Sequence, residues 1–171
     1  MAYAVPAVLV WALLGLLLNI ASLSMTALAL IVAYGLYYGL VEATSRPGLP
    51  APGRTWQVPA GWVDQPSPWR RSLVWGSLLG PGLATRNPYA GFGLLLLAVA
   101  SVGNPAAGAI FAAAIGLLHA AGRVLALVRD LRGTPADYLQ SVLRSLRWRS
   151  LDGFALLFFA GLAAMTIALR L

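Results

Sequence analysis

Four polar residues interrupt apolar sequence where a bilayer-embedded chain would have to use or neutralise them. Arg86 and Asn87 lie in LLGPGLATRNPYAGFG, residues 78–93, which also holds Gly80, Pro81, Gly82 and Pro88. His119, the only histidine, sits in PAAGAIFAAAIGLLHAAGRVLALV, with Arg123 four positions on and so on the same helical face. An arginine at mid-segment costs about 2.5–3.5 kcal/mol on insertion scales, so Arg86 needs a carbonyl cluster, water, an anion or a partner subunit. A helix starting at Pro88 would add partial positive charge beside it. Together they would form an anion-attracting spot of the kind that broken helices make in some transporters. The plainer reading is that Arg86 snorkels to an interface while GPG and NP end one short helix and start another.

His119 has three readings: a hydrogen-bonded packing residue, a proton or ligand site, and a metal ligand. The last lacks a ligand set, because no second histidine and no cysteine exist. Haem or pigment ligation would have to run through His119, the one conventional axial ligand in the chain. No cofactor and no metal site is predicted. The five acids are scattered, no HExxH or thiol dyad occurs, and Ser22, Ser24 and Thr26 have no base nearby. Catalysis is not expected.

The elements around these residues are membrane elements. The chain is 60% apolar and 10% charged over 171 residues, with mean hydropathy +0.78. A soluble domain of this size carries about 25% charged residues. Stretches 4–18 and 23–41 are apolar all round instead of striped, as spans are. All twelve basic residues are arginine, giving a net charge of +7. They flank apolar segments, which reads as topology and not as nucleic-acid binding. The absent cysteines exclude thiol redox and thiolate metal sites. The N-terminus has no basic region or small-residue cleavage site and reads as a retained span.

The expected architecture is an all-α polytopic bundle of five spans, forming a single membrane domain over 1–171. The spans are about 4–20, 24–43, 72–103, 105–128 and 152–170. Residues 4–43 would make a helix of roughly 60 Å if unbroken, twice the hydrocarbon thickness, so two spans turning near 19–24 are the more economical choice. One strongly tilted helix is the alternative. Segment 72–103 is predicted to be discontinuous, helical to Gly80, unwound to about Asn87 and helical again from Pro88. Such backbone survives in a membrane only inside protein or along a wet cavity. The loops 44–71 and 129–150 carry most of the arginines and are placed in the cytoplasm, leaving the N-terminus inside and the C-terminus outside a cell (inner) membrane. Loop 44–71 has six prolines and reads as a stiffened interfacial connector.

Residues 135–148 are predicted as a separate amphipathic helix in the membrane surface. Thr134 fits an N-cap and Pro135 the first helical position. Arg144, Arg147, Trp148 and Arg149 would face lipid headgroups. Gly108, Ala112, Gly116 and Ala120 form a small-residue ridge for close helix packing, and Gly35/Gly39 and Gly76/Gly80 repeat the spacing.

WGSLLGPGLATRNP in 75–88, followed by the small-residue helix in 103–123, resembles the compact CcdA/DsbD and LysE-type membrane transporter group. The resemblance covers roughly 72–128 and implies a broken-helix architecture. Thiol transport does not carry over, because CcdA-type proteins use a cysteine in each broken helix and this chain has none.

Two functions follow as expectations. The first is a non-catalytic subunit of a larger membrane complex, its intramembrane polar groups satisfied by other subunits or by further copies of the chain. The alternative is a small-solute or anion transporter, with Gly80, Pro81, Gly82, Arg86, Asn87, Pro88, His119 and Arg123 at its site. The lack of acidic residues deep in a span favours the subunit.

Overall fold

The computed structural model describes residues 4–45, 48–52, 61, 64, 67–78, 89–130 and 135–171. These contain six helices and no strand: α1 (Ala4–Ile20), α2 (Ser24–Thr44), α3 (Pro68–Leu78), α4 (Gly91–Ala100), α5 (Pro105–Asp130) and α6 (Pro135–Ala168). Three segments among the described residues are long and apolar enough to cross a membrane: Ser24–Thr44, Pro105–Leu125 and Trp148–Ala168. The protein is a helical membrane protein. The 17 residues of α1 reach about 25 Å and the ten of α4 about 15 Å, against roughly 30 Å of hydrocarbon. Between α1 and α2 the chain reverses over residues 21–23, with Ser22 in the left-handed region at φ 53°.

Two antiparallel helix pairs make the frame, and small residues bring each pair together. On α5, Gly108 faces Asn19, Ala112 faces Gly15 and Gly116 faces Trp11, all three partners on α1. As the number rises on one helix it falls on the other. A Cβ at Gly116 would come within 2.8 Å of the Trp11 ring, so the crossing needs glycine there. In the second pair, Gly35 and Gly39 of α2 face Leu156, Leu157 and Ala160 of α6, while Gly153 lies on the backbone of Ala43. Without a hydrophobic force between helices in lipid, such backbone approach supplies the packing.

Helix α4 joins the two pairs, touching α1, α2, α5 and α6. Its first turns enter a core with Leu28, Ile31 and Leu156. Its last turn brings Val99 to Trp11, Ala112 and Ile115. Asn19, 3% exposed, ties the far end: its amide donates to Gly15 O and Val99 O (both 2.8 Å) and its carbonyl accepts from Gly103 N–H (2.7 Å). Gly103 has φ +75°, a conformation that favours glycine.

Three expected boundaries change. The amphipathic helix at 135–148 and the span at 152–170 are one continuous 34-residue helix. Between Pro135 and Gly153 the chain has no proline or glycine, and its Leu, Arg and Gln residues favour helix, so nothing breaks it. At about 51 Å, a helix that crosses the membrane with its second half cannot also lie in the surface plane with its first. Segment 129–150, expected as a loop, is therefore largely helical at the ends of α5 and α6. Loop 44–71 likewise gives its last four residues to α3. The expected break at 80–88 lies outside the described residues, between α3 and α4.

Candidate functional site

Helix α4 starts partway along its neighbours, and two side chains fix that start. The Tyr34 hydroxyl, from the middle of α2, donates to Ala90 O at 2.7 Å. Asp152 of α6 accepts the Gly91 N–H on Oδ2 at 3.0 Å. An α-helix leaves its first N–H groups without intrahelical acceptors, and a carboxylate there also complements the positive end of the helix. The cap of α4 thus comes from another helix, 61 residues away in sequence. Gly91 permits it, since a Cβ at that position would fall on the Asp152 carboxylate.

One turn before Asp152, Arg149 donates from Nε to Glu42 Oε2 at 2.6 Å. Glu42 is 1% exposed and Arg149 35%. A buried carboxylate without such a counter-ion would be severely destabilised, and the pair locks the C-terminal end of α2 to α6.

A groove of about 710 Å³ opens between α4, α5 and α6. Its lining is mostly apolar, Phe92, Leu95 and Phe159 among it, with His119, Asp152, Tyr89 and Trp148 supplying the polar atoms. His119 is half-buried, with Nε2 shut away from solvent and its ring 5.3 Å from that of Phe92. Phe92 in turn meets Trp11 edge-on at 6.2 Å. On the other flank of α4, a smaller cavity of about 430 Å³ is bounded by Leu30, Ala33, Tyr34, Pro52 and Leu96 and is almost wholly apolar.

The residues singled out from sequence separate into three groups. Gly80, Pro81, Gly82, Arg86, Asn87 and Pro88 lie outside the described residues. His119 and Trp148 line the larger groove, whereas Arg123 is half-buried one turn further along α5 and does not. Arg149, expected at the lipid surface, is the partner of Glu42; Arg144 and Arg147 lie in the first half of α6. Asp152, Glu42, Tyr34 and Asn19 were missed. The local signal was an acid next to glycine in an apolar stretch, LDGFALL, which marks a carboxylate at a close helix contact and not in a loop. Among the described residues no three His, Asp or Glu side chains converge as a metal site requires.

Comparison with protein-family models, with curated proteins and with solved structures gives no significant match.

Proposed function

We propose that this chain is a self-contained membrane transport protein for a small solute, its path running beside α4 between the two helix pairs. The observation that carries this reading is α4 itself. It is a half-length helix held against all four long helices, its N-terminus capped from outside its own segment and opening onto a largely apolar groove that holds His119 and Asp152. Discontinuous helices of this kind form the binding sites of many secondary transporters. The intramembrane polar groups also bear on the choice. Asn19, Tyr34, Glu42, Arg149 and Asp152 find hydrogen-bond partners within the chain, which suits a bundle that folds on its own. Asp152 further supplies an acid within a candidate span.

In this reading the chain crosses five times, with α3 and α4 as the two halves of one broken crossing. Gly80, Pro81, Gly82, Arg86, Asn87 and Pro88 fall in the link between those halves and would form its unwound part. The broken-helix plan resembles that of the CcdA/DsbD and LysE-type group. The arginine-rich segments then meet at the cytoplasmic end of a cell membrane.

The subunit reading retains one observation in its favour. Helix α6 exceeds the hydrocarbon thickness by roughly 20 Å, enough for an arm that docks on another protein. Solubilisation from the native membrane in mild detergent separates the two. A particle containing only this chain, as monomer or homo-oligomer, is the expected result. A heteromeric particle that loses subunits when Arg86→Ala or His119→Ala is introduced would overturn the transport reading.

A further inference from the structure

The chain that leaves α2 turns back along it. Ser45 ends the helix in the left-handed region at φ 53°, its N–H donating to Glu42 O at 3.4 Å. Residues 48–52, GLPAP, then follow α2 toward its middle. A Cβ on Gly48 would come within 2.8 Å of Val41, so glycine lets the segment lie close. Leu49 donates its N–H to the Tyr37 hydroxyl at 2.9 Å, and the Tyr38 hydroxyl donates to Pro50 O at 3.4 Å. Ala51, 3% exposed, enters the core that holds Leu28, Ile31 and Leu94. Pro52 lines the smaller cavity with Leu30, Ala33 and Tyr34. As the number rises from 48 to 52, the partners on α2 step back from Val41 to Tyr34 and beyond.

That path has a depth. Tyr34 precedes Thr44 by ten residues, about 15 Å along a helix long and apolar enough to cross the membrane. A segment that returns so far has come about half way into roughly 30 Å of hydrocarbon. Irregular backbone survives there only against protein or along a wet cavity, because its N–H and C=O groups need partners. The composition meets that demand. Pro50 and Pro52 carry no N–H, and the tyrosines of YGLYY serve the groups at Leu49 and Pro50. The same tyrosines reach α4. Tyr38 packs on Tyr34 with ring centroids 4.5 Å apart, and the Tyr34 hydroxyl holds Ala90 O at the start of the half-helix.

We propose that residues 48–52 form a re-entrant strap, latched by Tyr37 and Tyr38, that closes the α2 flank of the transport path against lipid. The path itself rests on the transport reading; the depth of the strap and its latch do not. Through the contact of Tyr38 with Tyr34, the strap and the start of α4 are held by one cluster of rings.

Spin labelling tests this, since an introduced cysteine is the sole thiol in the chain. The purified full chain carrying Ser45→Cys, Leu49→Cys or Pro52→Cys is labelled with a nitroxide and reconstituted into phosphatidylcholine vesicles. All three positions are exposed, so a label fits at each. Power saturation then compares collisions with oxygen, which concentrates in the bilayer, and with a water-soluble nickel chelate. The oxygen-to-nickel ratio is expected to rise at least threefold from position 45 to position 52, with position 49 between them. Leu49→Cys keeps both prolines, so it carries the depth test even if Pro52→Cys fails to fold. Labels at 49 and 52 that meet nickel as often as the label at 45 would overturn the strap. Tyr37→Phe keeps the ring and removes the hydroxyl, and is expected to at least double nickel collisions at position 49. Collisions unchanged by both Tyr37→Phe and Tyr38→Phe would overturn the latch. Deep labels on a particle of several different proteins would leave the strap standing and remove the transport reading. Surface-like labels on a homogeneous particle would do the reverse.

Discussion

Glu42 and Arg149 set a stability problem that can be posed in one cycle. Glu42 is almost wholly enclosed, while the arginine still reaches solvent. Removing Arg149 therefore takes from an enclosed carboxylate the guanidinium bonded to it, whereas removing the charge of Glu42 leaves an arginine that can be hydrated. Arg149→Leu is expected to destabilise by about 3 kcal/mol, the lower end for breaking a buried pair because Arg149 is partly screened. Adding Glu42→Gln to it should restore stability, read as the unfolding midpoint in sodium dodecyl sulfate titrated into maltoside micelles. A double variant less stable than Arg149→Leu alone would refute this account. Asn19 makes a different prediction. Three backbone partners depend on its amide, and membrane hydrogen bonds average roughly 0.6 kcal/mol each. Asn19→Ala should cost about 2 kcal/mol in the same titration, and unchanged stability would show the knot to be idle. Neither partnership could be read from sequence. Glu42 and Arg149 stand 107 positions apart, Asn19 and Gly103 84, and their types alone suggested a span end, a headgroup contact and a turn. His119 drew attention in the sequence because it is the single histidine in an apolar segment.

Glycines allow a graded test at the level of helices. A Cβ at Gly153 would press on the main chain of Ala43, which cannot yield without parting α2 from α6. A Cβ at Gly39 would instead meet chiefly Leu157, whose side chain can turn aside, and approach Gly153 O only to 3.1 Å. Gly122 and Gly161 face open space. Gly153→Ala should therefore be the most destabilising, with a loss of about 2–4 kcal/mol through forced separation. Gly39→Ala should be milder. Gly122→Ala and Gly161→Ala should be neutral or stabilising by about 0.5–1 kcal/mol, since alanine is the better helix former. An order other than this would mean that the crossings are not set by these contacts. The ridge from Gly108 to Ala120 was visible in sequence because spacing of four is a helical signal in itself. The continuity of α6 was not. Its first half is amphipathic and its second half apolar, and a change of composition reads as a boundary even where the backbone has no reason to stop. The start of α4 was hidden for the opposite reason, since its cap belongs to another helix.

At the scale of the molecule, the pairings fix which ends lie together, and the arginines then choose a side. Because α1 opposes α5 and α2 opposes α6, the α1–α2 turn, the α4–α5 turn and the C-terminus share one end of the bundle. The end of α2, the end of α5 and the start of the Trp148–Ala168 span share the other. The second end is the arginine-rich one, because Arg70 and Arg71 lie in the first turn of α3, Arg144 and Arg147 precede the last span and Arg149 is its second residue. Positive charge is retained in the cytoplasm, so the α1–α2 turn and the C-terminus should face out. The cysteine-free chain makes this straightforward to test, since each introduced thiol is the sole target. Ala21→Cys and Leu171→Cys should react with an impermeant maleimide added to intact cells, and Ser45→Cys only after the membrane is opened; all three positions are exposed in the structure. If only Ser45→Cys were labelled from outside, the bundle would be inverted and the arginine argument would fail, though the fold would stand. If Ala21→Cys and Leu171→Cys were labelled from opposite sides, the antiparallel pairing of α2 with α6 would be wrong. The groove beside α4 would then lose the wall that carries Asp152.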